Sequence, residues 1–389
     1  MIKIVATADN HLNKYYKKMT PEQLRKRREN LRKAFEEVIN FSIKEKVDIF
    51  LQIGDLFDMP NPRNTELAFV MEEFFRLKKE GIDIFAVAGT HDSITAPDED
   101  SYPIKIFEKA GILKAFTKTR EIEPYIWEKD VKEKILISGL STDLRIRGRN
   151  DPLRDVRLDS IENYNLFKIL LLHYSIEEFS HPQAQEPQIS KGTLYSFPFD
   201  LYIIGHLHEH REHIFGNKRI IIPGATERIN FGEEENETGF YFIRIEGKRV
   251  FSEYLKINSQ PMKTIEIKTS EISPENPTES IIRRIEEESL ENQLLKCRIS
   301  GPLSISIYQN INFSKINRRG MELNFFFDLD TQNLYIRTSE LPSISFSEDW
   351  NVKRVLEKFT QELLLKEERD REIIKEALNW IKDNLGDSL

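Results

Sequence analysis

Seven short apolar runs, six of them breaking off at Asp, His or Gly and the last at Pro-Gly, constrain this chain more than any other feature. They cover residues 2–8, 48–53, 82–88, 134–139, 168–172, 201–204 and 218–222. Their Ile, Leu and Val content shows little alternation, which predicts strands covered on both faces. Between the first two, Leu24, Leu31, Ala34, Phe35, Val38 and Ile39 recur at helical spacing. Thr20 supplies an N-cap and Pro21 a first helical position, so residues 20–45 predict a helix. Strand and helix in alternation predict an α/β layered domain.

At 389 residues the chain is too long for one ordinary domain. Asn258-Ser259-Gln260-Pro261 reads as a linker. Beyond it, segments 264–269 and 294–300 predict strands around a charged helix at 278–290, and 321–329 with 334–338 predict a closing hairpin. Segment 304–317 fits either a strand or a helix face. A second linker at 341–347 precedes two helical segments, 350–365 and 371–385, each with one apolar stripe. The expected domains are therefore 1–258, a small α+β domain at 263–340, and a helical tail at 348–389. The single cysteine, Cys297, excludes a disulfide framework or a zinc site built on paired thiolates. No apolar run approaches the roughly 20 residues that span a bilayer. A soluble, cytoplasmic protein is expected. Net charge is −8, so any polyanionic partner must be read from local charge.

The residues that end the strands carry the chemistry. They are Asp9-Asn10-His11, Gly54-Asp55-Leu56-Phe57-Asp58, Gly89-Thr90-His91-Asp92, His173, and Gly205-His206-Leu207-His208. In open α/β sheets ligands bind outside the carboxyl ends of the strands, so these groups should converge. Taken singly, each motif fits a core histidine or a helix-capping aspartate. Together they hold five of the chain's eight histidines, each at a strand end, whereas His181, His210 and His213 show no such pattern. Carboxylate and imidazole donors without thiolate suit Mn²⁺, Fe²⁺ or Zn²⁺. Two such ions can clamp an in-line phosphoryl displacement, with Asp55 as the natural bridge.

The ordered series DNH, GDLFD, GTHD, LLH and GHLH resembles the calcineurin-like metallophosphoesterase superfamily. Residues 222–233, Ile-Pro-Gly-Ala-Thr-Glu-Arg-Ile-Asn-Phe-Gly-Glu, narrow the resemblance to the SbcD-type, or meiotic-recombination-eleven-type, nucleases of double-strand-break repair. The resemblance implies a layered β-sandwich phosphoesterase domain flanked by helices, a capping domain that binds DNA, and a C-terminal helical hairpin. It implies two Mn²⁺ per subunit. Asp9, His11 and His208 would bind one ion, His173 and His206 the other, and Asp55 both. His91 would protonate or stabilise the departing oxygen, and Asp58 and Asp92 would orient histidines through hydrogen bonds. The family usually has Asn where this chain has Thr90, a shorter and weaker ligand for the second ion. The implied reaction is hydrolysis of DNA phosphodiesters, 3′-to-5′ from duplex ends and internally on single strands.

Residues 14–33 carry nine Lys or Arg against two Glu, and Arg145, Arg147, Arg149, Arg154 and Arg157 form a second cluster. Lys14, Lys17, Lys18, Arg145, Arg147 and Arg149 are the expected DNA contacts, since basic segments flanking a dimetal site favour a polyanionic substrate. The second cluster could instead pair internally with Asp143, Asp151, Asp155 and Asp159. The tail stripes call for a partner surface, and the resemblance implies the coiled-coil base of an ABC-type ATPase, gripped by the C-terminal helices. It also implies a homodimer through helices within 61–80 and 101–109, and residence on nucleoid DNA. Two other readings compete: a DNA-end-tethering scaffold with a metal site impaired at Thr90, and a nucleotide or phosphoprotein phosphoesterase.

Overall fold

A computed structural model describes residues 1–95, 101–130, 133–158, 161–181, 183–337, 356, 359–361 and 371–384. The central strands divide their side chains between two cores. Ile4 and Ala6 join one and Val5 another; Ile49, Leu51 and Ile53 oppose Phe50; Ile169 and Leu171 oppose Leu170 and Leu172. Successive strand residues point to opposite faces, so strands apolar on both must lie inside a stack of layers.

Two six-stranded sheets make the inner layers. The first runs Arg249–Lys256, Gly239–Glu246, Ile2–Thr7, Ile49–Ile53, Asp83–Val87 and Lys114–Phe116. The last four are parallel, and the antiparallel hairpin of the first two closes one edge. The second runs Arg211–Phe215, Lys218–Ile222, Leu201–Gly205, Phe167–His173, Lys134–Gly139 and Tyr125–Glu128. Its four inner strands are parallel and its two edges antiparallel. Ile4, Leu51, Val87 and Tyr241 from one sheet share a dry core with Ile137, Ile169, Leu171 and Ile203 from the other. This is the layered sandwich expected.

The outer layers differ. Helices Pro21–Lys44, Asn64–Lys79 and Ile104–Lys109 cover the first sheet, with Leu31, Phe35, Val38, Phe74 and Phe107 buried over Val5 and Phe50. The first is capped by Thr20, in a capping box with Gln23. Among the described residues the second sheet is covered mainly by loops, which bring in Leu140, Leu153, Ile176 and Ile189, with the short helix Lys191–Ser196 adding Leu194 and the single turn Ile161–Asn163 adding Ile161. A helix after each strand is thus a property of the first sheet alone.

The described chain divides into two compact units, residues 1–263 with 291–294, and 264–290 with 295–389. In the second, Leu294–Leu303 lies between Met262–Lys268 and Phe326–Asp330 and also pairs with Leu334–Ile336. That last strand runs parallel to Gly301–Leu303, so the expected closing hairpin does not form. Met321–Leu323 instead ends helix Phe313–Leu323, in which Gly320 has no side chain to collide with the Phe327 ring packed against it. Segment 304–317 becomes two helices, Ile305–Gln309 and Phe313–Leu323, started by side-chain caps from Ser304 and Asn312. The expected linker is anchored too: Gln260 is buried and accepts hydrogen bonds from Arg27 and Asn30. Arg371–Asn384 is helical as read. Linker 341–347 and most of 350–365 lie outside the described residues. Among the described residues no helix is long and apolar enough to cross a membrane.

Candidate metal centre

Parallel strands deliver the site. Asp9 and His11 follow Ile2–Thr7, Asp55 follows Ile49–Ile53, and Thr90 and His91 follow Asp83–Val87. From the other sheet, His173 ends its strand, and His206 and His208 follow Leu201–Gly205. Bringing these turns together strains the backbone. Asp9, His11, Asp55 and His206 all have left-handed φ, at 50°, 45°, 48° and 93°. Such angles cost energy in residues other than glycine and gather where function requires them. Close approach adds glycines: a side-chain carbon on Gly205 would strike the Ile53 carbonyl and the His173 ring.

Donor atoms gather in two overlapping clusters, Asp9 with His11 and His208, and Asp9 with Asp55 and His173. His11 and His208 bring their Nε2 atoms within 3.1 Å of each other. His208 Nε2 lies 3.8 Å from Asp9 Oδ1, and Asp55 Oδ2 stands 3.2 Å from His173 Nε2 and 3.8 Å from His11 Nε2. His173 is fully buried, and its Nε2 has no hydrogen bond of ordinary geometry. A buried, orphaned imidazole nitrogen facing two carboxylates is a donor set suited to a divalent cation. The electrostatics agree. Burial disfavours a charged His173, yet Asp55 and Asp9 raise it to about 10. Burial likewise opposes ionising Asp55, but His173, His11 and His91 hold its carboxyl far below the usual range. The carboxylates thus attract a positive charge into a dry site, and a cation can take the place of that proton. Burial pushes His11 down toward its neutral, ligating form, against the pull of Asp58.

A second ring of acceptors holds these ligands. Asp58 takes His11 Nδ1 at 3.1 Å, Glu233 takes His208 Nδ1 at 2.9 Å, and the Ile53 carbonyl takes His173 Nδ1 at 2.8 Å. Such partners fix ring tautomer and orientation. Asp92 differs from expectation: it accepts the backbone N–H groups of Leu56, Phe57 and Gly89, tying two turns together, and reaches no histidine. His91 is the exposed member, 45 % accessible, with Nδ1 3.2 Å from the Asp58 carbonyl and its ring edge-on to His11. His11, Asp58 and His91 are also close enough to form a third donor group. His206 stands apart from all three groups, its Nε2 3.1 Å from Glu186. Thr90 lines a cavity of about 190 Å³ together with His206, Glu186 and Arg147.

Sequence reading missed Glu186, which nothing in Gln185-Glu186-Pro187 marks out, and Asn10 and Gln52, which hydrogen-bond each other behind the site. Glu233 was legible only as the last residue of segment 222–233. His210, free of pattern in sequence, stacks on Tyr254 at 3.6 Å. Much of the first basic run pairs internally: Lys14 with Asp58 at 2.7 Å, Arg25 with Glu29, Arg32 with Glu66, and Arg27 with Glu227. Arg145 pairs with Asp143, Arg149 donates to Gln188, and Arg157 pairs with Glu121. Lys17 and Arg147 are exposed.

Residues 2–210 match the family model described as calcineurin-like phosphoesterase. Proteins named DNA double-strand break repair protein Mre11 are similar to this chain. The one from Sulfolobus acidocaldarius is 26 % identical over 294 residues, 74 % of this chain and 71 % of its own length. That from Sulfurisphaera tokodaii is 31 % identical over 237 residues, 60 % of this chain and 56 % of its own. For Methanosarcina mazei the figures are 27 % over 251 residues, 64 % and 37 %. The chain therefore spans as little as about a third of some of these relatives. The superfamily read from the strand-end motifs is met by the family match, and the narrower resemblance read from residues 222–233 is supported by these relatives.

Proposed function

The chain belongs to the calcineurin-like phosphoesterases, and from that premise we propose that it is the nuclease subunit of a DNA double-strand-break repair complex. The relatives named for that repair support the substrate. The observation that carries the chemistry is the meeting of Asp9, His11, Asp55, His173 and His208 around an unpartnered, buried imidazole nitrogen. In this reading Asp9, His11 and His208 hold one Mn²⁺, His173 and His206 a second, and Asp55 both, with Thr90 beside the second. Ions so placed supply Lewis acidity and an activated water at neutral pH.

The remaining work falls to side chains of this chain. As an imidazolium, His91 donates Nδ1–H to the Asp58 main-chain carbonyl and can pass its Nε2 proton to the departing ribose oxygen, which leaves the neutral Nδ1–H ring. Lys17 and Arg147 face the backbone phosphates, while Lys14, Lys18, Arg145 and Arg149 flank the same path; the paired ones shape the loops and hold fewer phosphate contacts than their number suggests. Cleavage is 3′-to-5′ from duplex ends and internal on single strands. His91→Ala is expected to lower Mn²⁺-dependent cleavage of linear duplex by about 10²–10⁴-fold, while elemental analysis finds metal content unchanged. Loss of metal would remove His91 from this role. Failure of the wild-type protein to cut DNA with both ions bound would favour an end-tethering scaffold. Hydrolysis of a small chromogenic phosphoester alone would favour a nucleotide or phosphoprotein phosphoesterase.

The subunit pairs with a second copy and with an ATPase. On helices Asn64–Lys79 and Ile104–Lys109, Val70, Phe74, Ile104 and Phe107 are buried, whereas Phe75 and Ile106 are 44 % and 46 % exposed. A two-fold contact covering these two side chains makes the homodimer. Phe75→Asp with Ile106→Asp is expected to give a monomer by light scattering at a concentration where the wild type is dimeric, with its secondary structure retained by circular dichroism. A wild-type monomer at micromolar concentration would refute the dimer. Helix Arg371–Asn384, with Trp380 61 % exposed, belongs to the tail that grips the coiled-coil ABC-type ATPase.

A further inference from the structure

Three of the site's histidines are held the same way. His11, His173 and His208 each have Nδ1 on an acceptor and Nε2 toward the donor clusters. His206 is reversed. Its Nε2 meets Glu186 Oε2 at 3.1 Å, while its backbone N–H donates to the Asp9 carboxylate at 3.1 Å. An ionised carboxylate only accepts, so Nε2 carries a proton, and in the neutral ring the lone pair then falls on Nδ1. Nδ1 is the ring nitrogen nearer the backbone, and that backbone is the part of His206 already tied to Asp9.

Glu186 is itself fixed. Its other oxygen accepts a hydrogen bond from the Ser175 hydroxyl. Ser175 lies two residues beyond His173 and pairs in register with Gln188, two residues beyond Glu186, in the parallel ladder Ser175–Ile176 with Gln188–Ile189. The ladder therefore locks Glu186 to the strand that carries His173. Across the same cavity stands Thr90, which offers only a short hydroxyl.

Resting on the dimetal reading above, we propose that Glu186 is a positioning residue of the second metal site. It holds His206 in the Nε2–H tautomer with Nδ1 as the ligand, and so secures an imidazole donor where position 90 gives no amide. The assignment concerns ring orientation and leaves Glu186 outside the coordination sphere.

Manganese titration calorimetry on wild type, Glu186→Ala and Glu186→Gln tests it, together with ¹⁵N NMR of the His206 ring in the metal-free protein. Wild type is expected to give two dissociation constants and an Nε2–H tautomer. Glu186→Ala should weaken the weaker site by about 10–100-fold, as loss of an outer partner does, leave the tighter site unchanged, and mix the tautomers. Glu186→Gln keeps an accepting oxygen and should stay close to wild type in both readouts. Two unchanged constants in Glu186→Ala, or an Nδ1–H tautomer in wild type, would overturn the proposal alone. Uptake of fewer than two ions by wild type would overturn the dimetal reading and this proposal with it.

Discussion

In an Asp55→Asn variant, bound manganese and cleavage are expected to disappear together. Asp55 is the carboxylate placed between the clusters, 3.2 Å from His173 Nε2 and 3.8 Å from His11 Nε2. Its second oxygen accepts the His91 backbone N–H at 2.7 Å. Asparagine keeps that hydrogen bond through its amide oxygen. It also tolerates the left-handed backbone at this position better than most residues. What it removes is charge. Without the Asp55 carboxylate, burial acts on His173 with one less opposing anion, and the proposed centre loses the ligand that reading assigns to both ions. The loss should exceed the roughly 10–100-fold typical of an outer-sphere partner, leaving metal content near zero by elemental analysis and cleavage at background. The metal-free protein should also melt at a lower temperature, because the buried Asp55–His173 pair loses one charged partner. An Asp55→Asn protein that retained two ions would remove Asp55 from the bridging role. The contrast with His91→Ala, which should lose cleavage and keep metal, separates a ligand from a proton donor.

The same residues show where sequence stops being legible. The strands and the acids and histidines that end them were readable because a buried parallel strand is a continuous apolar run and its exit is abrupt. The hairpin Gly239–Glu246 with Arg249–Lys256 was not, because its second strand has one exposed face and mixes Glu, Ser and Lys into the pattern. Outer-ring residues are harder still. Glu186 acts on His206 from a loop and Glu233 on His208 from the end of the single-turn helix Phe231–Glu233, with no periodicity and no fixed spacing to the rings they hold. Charge misleads in the opposite direction. Residues 14–33 read as a phosphate-binding run, yet several of their cations hold carboxylates of the protein itself.

Arg27 is the extreme case. Arg25-Lys26-Arg27-Arg28 looks like a solvated helix face, but Arg27 stands four, seven, eight and eleven residues before Leu31, Ala34, Phe35 and Val38, on the buried stripe. It is 0 % exposed, pairs with Glu227 at 3.1 Å, and donates to Gln260 and to the Arg228 carbonyl. Tyr16 lays its ring 5.6 Å from the guanidinium carbon. Glu227, itself 2 % exposed, also accepts the backbone N–H groups of Arg228 and Gln260. Arg27→Ala strands that carboxylate in a dry interior, at a cost of about 3–5 kcal/mol. The expected fall in melting temperature is on the order of 10 °C. Arg27→Met with Glu227→Leu should recover most of it, because no charge is then left alone. A second consequence follows from the chain path. Thr226 accepts from Asn10 beside Asp9, and Glu233, six residues beyond Glu227, holds His208. Segment 222–233 therefore straps the Arg27 helix to both sides of one metal site. Calorimetry below the lowered melting point should show weaker manganese binding in Arg27→Ala, confined to the ion proposed for Asp9, His11 and His208. Unchanged melting would mean that the Arg27–Glu227 pair contributes no net stability, and unchanged metal affinity would mean that the strap holds without it.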